Sequence, residues 1–122
     1  MIYGIGLDIV EIERINQLLA RNDSSFIKRI FTAEEQSQIP LAGRRRAEYI
    51  AGRFAAKEAF SKALGTGIGT NLRWQEIEIL ALPCGKPYIN YQNRINIAYL
   101  HYHLSISHSN EYAVAQVIIE SL

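Results

Sequence analysis

Two carboxylates, a lysine and a histidine are the residues of this sequence best suited to chemistry. Glu58 and Lys62 stand four apart in FAAKEAFSKALGTGIG, residues 54–69, so a helix would present both on one face. Asp8 stands in a stretch where Gly4, Gly6 and Asp8 alternate with Tyr3, Ile5, Leu7 and Ile9, as in a strand. Carboxylates from two elements suit a hard cation, because Mg2+ takes one or two of them and fills its octahedron with water and phosphate oxygens. Mn2+ suits the same donors. Each feature also has a plainer origin. Gly4 and Gly6 can serve close packing while Asp8 caps the next helix, and an exposed Glu-to-Lys pair is worth only about 0.3 kcal/mol.

LSISHSNEY, residues 104–112, adds Ser105, Ser107 and Ser109 on one face of a strand and His108 on the other. Adjacent strand residues are badly placed for a Ser–His nucleophile, and no aspartate follows to orient the imidazole. Phosphate binding by hydroxyls and imidazole fits better, beside a purely structural histidine. Gly65, Gly67 and Gly69 follow a helix, which excludes a dinucleotide fingerprint, and the GK[ST] ending of a P-loop is absent. They are expected to bring left-handed backbone and exposed N–H groups. Arg44, Arg45 and Arg46 form either a solvated basic turn or an anion patch. Arg53, Lys57 and Ser61 are expected near the Glu58–Lys62 side of the helix.

The elements that must position these groups can be read from the pattern. A strand covers 2–10 and a short helix 11–21, with Ile12, Ile15, Leu18 and Leu19 at helical spacing. Asn22, Asp23 and Ser24 punctuate it, and Ser24 or Ser25 caps a turn holding Phe26, Ile27 and Ile30. Thr32 and Glu35 form a capping box. A long helix runs from about Arg44 to Leu64, then strands at 74–82 and 88–91 flank a Pro83–Pro87 turn. A short helix is expected over 92–100, and strands at 104–108 and 112–119. The last strand has no charge before Glu120, which places it centrally or at an interface. The layout predicts one α+β domain over 1–122, with helices packed on a mainly antiparallel sheet.

Composition narrows the classes further. The chain of 122 residues carries a formal charge of +1, so bulk charge selects no partner. Cys84 is the only cysteine, which excludes an internal disulfide or a multi-cysteine metal site and fits a reducing, cytoplasmic setting. Asp8, Glu11 and Glu13 come too early for a signal peptide. No apolar run approaches the roughly twenty residues that span a bilayer, so no membrane association is expected. Nucleic-acid binding has only the arginine run for support, without a stacking platform.

Three blocks taken together resemble the small bacterial holo-[acyl-carrier-protein] synthases, a family of phosphopantetheinyl transferases. They are GIGLDIVEIERI at 4–15, RRAEYIAGRFAAKEAFSKALGTGIG at 45–69 and LSISHSNEYAVAQVII at 104–119, with FTAEE at 31–35 and GKPYI at 85–89 in order between them. The resemblance implies transfer of the 4'-phosphopantetheine arm of coenzyme A to a serine of apo acyl carrier protein, with release of adenosine 3',5'-bisphosphate. It implies Mg2+ on Asp8 and Glu58, Lys62 on the pyrophosphate and leaving group, and His108 near a coenzyme A phosphate. Arg45 is matched to the 3'-phosphate, while Arg53, the Gly65 and Gly67 loop, Lys86 and Pro87 help hold the nucleotide. It further implies homotrimers with active sites between subunits and an acidic carrier, for which Arg14, Arg21, Lys28 and Arg29 are the docking candidates. The general base stays open between Glu58, Glu34 and a metal-linked water, with a water-assisted route near Glu58 preferred. The family signal is thin in SQIPLAG and in YINYQNRINIAYLHYH.

Two other classes compete. A metal-dependent nuclease or other phosphotransferase would use Asp8 and Glu58 but needs further carboxylates. A non-catalytic binding module for coenzyme A or the carrier would tolerate loss of both.

Overall fold

The computed structural model describes residues 1–91 and 99–122. Strand β1 (Ile2–Glu11) leads directly into α1 (Ile12–Ile30), followed by α2 (Ala33–Gln38) and the long α3 (Gly43–Leu64). A single 3-10 turn at Trp74–Glu76 precedes β2 (Ile77–Ala81) and β3 (Pro87–Tyr91), then β4 (Leu100–His108) and β5 (Tyr112–Ser121). The main sheet has the order β1-β5-β4 and β2-β3 form a separate hairpin; every pairing is antiparallel. This is an α+β fold, and β5, uncharged before Glu120, is its central strand.

Helix α3 lies across one face of the main sheet, and small residues set its distance. Ala51, Ala55, Ala59 and Ala63 are buried on the helix, and Ala113, Ala115, Val117 and Ile119 face them from β5. Gly4 and Gly6 bring β1 closest. A Cβ at Gly6 would fall on the carbonyl oxygen of Ala59, and one at Gly4 on that of Ala63. The two glycines therefore serve close packing of helix on strand. Gly6→Ala must push α3 off the sheet, and overpacking of this kind costs about 3 kcal/mol. The expected result is a large drop in melting temperature, together with lost activity because Asp8 and Glu58 are carried on the separated elements.

Several boundaries differ from those the pattern implies. Helix α1 consists of two helical segments joined across a kink at the non-helical Asn22 (φ −163°), so the break expected after residue 21 is present, but Phe26, Ile27 and Ile30 lie on a second helical segment rather than in a turn. Ile27 and Ile30 are buried, and their packing holds the segment after the kink helical. Residues 74–76 are a 3-10 turn rather than strand, held by Glu76 Oε1 accepting from Arg73 N at 2.9 Å. Strand β4 begins at Leu100, earlier than expected. Most of the helix expected over 92–100 lies outside the described residues. The Thr32–Glu35 capping box is present, and Gly65 closes α3 in the left-handed region at φ 86°. Among the described residues no helix is long and apolar enough to cross a membrane.

Lys57 departs most from expectation. Its side chain is fully buried, on the far side of α3 from a solvated face. Its ammonium donates to Glu35 Oε1 at 2.7 Å, to Ile30 O at 2.6 Å and to Trp74 O at 3.0 Å. Glu35 also accepts from the N–H groups of Thr32 and Ile79, both at 2.9 Å. One buried ion pair thus ties α1, α2 and β2 to the middle of α3. Ser61 is buried as well, its hydroxyl turned back on Glu58 O at 2.7 Å. Neither belongs with the exposed Lys62.

Candidate active site

The crossing of α3 over the sheet decides what meets Asp8. The N-terminal half of the helix lies over β4, where a Cβ on Gly52 would come within 2.9 Å of Ile106 Cγ2. The C-terminal half lies over β1, at Gly6 and Gly4. Asp8 therefore meets the second half of α3. Lys62 Nζ lies 3.0 Å from Asp8 Oδ1 and also 3.0 Å from Leu7 O, with the lysine side chain 52 % exposed and the aspartate 17 %. Asp8 and Glu58 both line a cleft of 360 Å³ between β1, the start of α1 and α3. Arg14, Leu18, Phe54 and Tyr112 are among its other walls.

The electrostatics of the pair are those of a site short of positive charge. Burial pushes the Glu58 carboxyl above its ordinary range, the charge of Asp8 adds to this, and Lys62 opposes it. Two oxygen donors sharing an open cleft, with a half-exposed ammonium as their counter-ion, fit Mg2+, which needs no more than one or two carboxylates. Among the described residues no cluster of three His, Cys, Asp or Glu side chains is placed to hold a metal.

The remaining sequence-predicted residues do not join this cleft within one chain. His108 pairs with Ala113 on β4, whereas Asp8 opposes Ala115 from the other side of β5. Their backbones are about 12 Å apart on that register, with α3 lying between. Arg44 donates to Asn110 O and Oδ1 and Arg46 to Asp23, and Arg45 between them is exposed. Arg53 stacks over the Tyr49 ring at 3.9 Å, and burial lowers its pKa. Lys86 and Pro87 sit at the β2–β3 turn beside the exposed Cys84.

The glycine loop also differs from expectation. Gly65, Thr66 and Gly67 all turn their N–H groups back to Ser61 O, and Gly69 N binds Leu72 O. The loop is a helix terminator, with its donors used internally rather than left open. Two groups near the site carried no sequence signal of their own. They are Phe54, a wall of the cleft, and Glu48, one turn after Arg44 on α3, neither of which the sequence pattern singled out. Glu34 lies on α2, outside the residues lining the cleft.

Residues 4–117 match the 4'-phosphopantetheinyl transferase superfamily. The chain belongs to that superfamily. It is 54% identical over 123 residues to a holo-[acyl-carrier-protein] synthase of Geobacillus kaustophilus, covering 100% of this chain and 92% of the relative. Among solved structures it superposes at a TM-score of 0.88 on the holo-(acyl-carrier-protein) synthase of Bacillus anthracis in complex with CoA (3',5'-ADP). That pair is 46% identical, covering 100% of this chain and 99% of the other. The holo-[acyl-carrier-protein] synthase of Neisseria meningitidis gives the same TM-score at 39% identity, over 99% and 100% of the two chains. The α+β arrangement of the superfamily is thus present over essentially the whole chain.

Proposed function

We propose that this chain is a holo-[acyl-carrier-protein] synthase in which Asp8 and Glu58 hold Mg2+ for the reaction. The serine Oγ of apo acyl carrier protein attacks the β-phosphorus of coenzyme A. The bond to the bridging pyrophosphate oxygen breaks, phosphopantetheine is carried to the serine, and adenosine 3',5'-bisphosphate leaves. The carrying observation is the shared cleft of Asp8 and Glu58 with Lys62 on its rim. Phosphoryl transfer asks for positioning and charge neutralisation rather than a covalent protein group, and this cleft supplies both. Bound Mg2+ supplies charge neutralisation on the pyrophosphate oxygens and the leaving phosphate.

The protein side of the work follows from the side chains. Lys62 is exposed and flexible enough to leave Asp8 for the pyrophosphate, where it offsets the charge that builds on the leaving group. Glu58 takes the serine proton through a water held beside it. Arg14 stands in the cleft wall, and Arg21, Lys28 and Arg29 are exposed along the same helix, forming a basic face for an acidic carrier. No nucleic acid or membrane enters this function, and the compartment is the reducing cytoplasm, where the exposed Cys84 stays a thiol.

The enzyme acts as a homotrimer with each site shared between subunits. Two features support this. Ile5, Leu7 and Ile9 on the face of β1 away from α3 are about 60 % exposed, at 60%, 58% and 62%, and a continuous apolar strip of this kind calls for a partner surface. In addition, Arg45, Arg53, Lys86, Pro87 and His108, the proposed nucleotide contacts, lie away from the Asp8 cleft of their own chain. Mixing inactive Asp8→Ala and His108→Ala chains under exchange should therefore restore transfer, since some interfaces then carry two intact halves. Persistent inactivity of a verified mixed oligomer would place both residues in a single-chain site.

A further inference from the structure

His108 ends β4 on the face covered by α3, and its Nδ1 lies 3.0 Å from Glu48 Oε2. The Glu48 side chain is 19 % exposed and that of His108 is 51 %. An ionised carboxylate only accepts, so the hydrogen of this contact sits on Nδ1. The surrounding backbone is well fixed. His108 is paired with Ala113 in the sheet, and the next turn is closed by Ser109 N on Tyr112 O at 2.8 Å. The Ser109 hydroxyl accepts from Glu111 N at 3.3 Å and from Tyr112 N at 3.2 Å. Arg44, one turn before Glu48, lies 3.7 Å from the same Oε2 and donates to Asn110 O at 2.9 Å. Turn, helix and ring are thereby linked through Asn110, Arg44, Glu48 and His108. The charged groups around the ring are Glu48 and Arg44 from α3, with Glu111 of the turn lining the adjoining cleft beside Arg44.

We infer that Glu48 is the positioning residue for His108, holding Nδ1 towards the protein so that Nε2 is the nitrogen offered to a phosphate of the substrate. This rests on the proposed contact between His108 and coenzyme A. A neutral ring held in this way has only a lone pair at Nε2 and cannot donate to a phosphate oxygen. Donation needs a second proton on the ring, and the Glu48 carboxylate is the counter-charge for the imidazolium so formed. Glu48 thus sets the direction of the ring without touching substrate itself. Histidines that act on metals are tuned by an outer carboxylate in a similar manner.

The test compares wild type, Glu48→Gln and Glu48→Ala by steady-state kinetics and by 15N NMR of the His108 ring. Glutamine keeps an oxygen for Nδ1–H but loses the charge, and alanine loses both. Glu48→Ala is expected to raise KM for coenzyme A about tenfold, the size of one charge-assisted hydrogen bond, with kcat and melting temperature little changed. Glu48→Gln should fall between. The NMR spectrum should show the Nδ1–H form in wild type and Glu48→Gln, and mixed tautomers in Glu48→Ala. With 3'-dephospho-coenzyme A as substrate, loss of the KM effect assigns the contact to the 3'-phosphate, and persistence assigns it to the pyrophosphate. An unchanged KM and tautomer in Glu48→Ala, with normal wild-type transfer, would overturn the inference and leave the transferase assignment standing. A wild type that transfers nothing would remove that assignment, and the phosphate role of the pair with it.

Discussion

Glu58→Gln is expected to lower phosphopantetheine transfer about a thousandfold, the scale of removing charge stabilisation from a reacting phosphate, while raising the melting temperature at pH 7. The two effects have one origin. Burial and the charge of Asp8 hold the Glu58 carboxyl above its ordinary range. Between the unfolded and the raised folded pKa, the native state binds more protons than the unfolded chain. Stability therefore falls as pH rises through that window, and the ionised Glu58 is a net burden on the fold at neutral pH. Glutamine removes the burden together with the metal ligand. The melting gain should be present at pH 7 and vanish near pH 4, where the unfolded and folded carboxyls are both protonated. Mg2+ should stabilise the wild type and leave the variant unmoved. A variant that melts lower than wild type at pH 7, or that retains transfer, would contradict this account of the cleft.

Glu35→Ala is expected to destabilise the domain by about 4 kcal/mol, because it strands a buried ammonium and two backbone donors at once. A loss of that size is a large fraction of the roughly 5–15 kcal/mol that holds a typical domain folded. Lys57 retains one way out. Burial already lowers its pKa, while Glu35 is the main opposing influence. In the variant the folded state favours the neutral amine, and the unfolded chain keeps the proton until the ordinary lysine range. The native state then binds fewer protons, so its stability rises with pH through that interval. Urea unfolding should show the deficit of Glu35→Ala shrinking between pH 7 and pH 10. Replacing both partners by apolar residues of similar size should recover much of the loss. A pH-independent deficit would show that the lost backbone contacts at Thr32 and Ile79 dominate over the charge.

The parts of the fold that were legible in the sequence are those set by local chemistry. The alternation around Asp8 defined β1, the Thr32–Glu35 box began α2, and Gly65 ended α3. An uncharged run marked the central strand β5. The parts that were not legible depend on contacts distant in sequence. Lys57 sits in a helix next to Glu58, and nothing local distinguishes a buried lysine from a solvated one. Only the approach of Ile30, Glu35 and Trp74 supplies its acceptors. The break at Asn22 was marked by the Asn22-Asp23-Ser24 run, whereas the helical segment after it was not legible because it depends on the packing of Ile27 and Ile30.

The candidate site divides in the same way. Glu58 and Lys62 were one helical turn apart in the sequence, and their meeting with Asp8 followed once α3 lay on β1. His108 had the right chemistry but stands on the opposite outer strand of the sheet, since β5 pairs between its strand and that of Asp8. Glu48 and Phe54 gave no signal, because an ion-pair residue and a core aromatic look the same wherever they occur on a helix.

Intact-mass measurement of apo acyl carrier protein incubated with this protein, coenzyme A and Mg2+ reads the transfer itself. Parallel samples contain EDTA in place of Mg2+, or Asp8→Ala in place of the wild type. The carrier should gain the mass of one phosphopantetheine group in the first sample and nothing in the other two. An unchanged carrier with folded protein, across several apo carriers, would contradict the assignment and leave coenzyme A or carrier binding without turnover. A full gain in EDTA or with Asp8→Ala would show that the reaction does not run through the Asp8–Glu58 cleft.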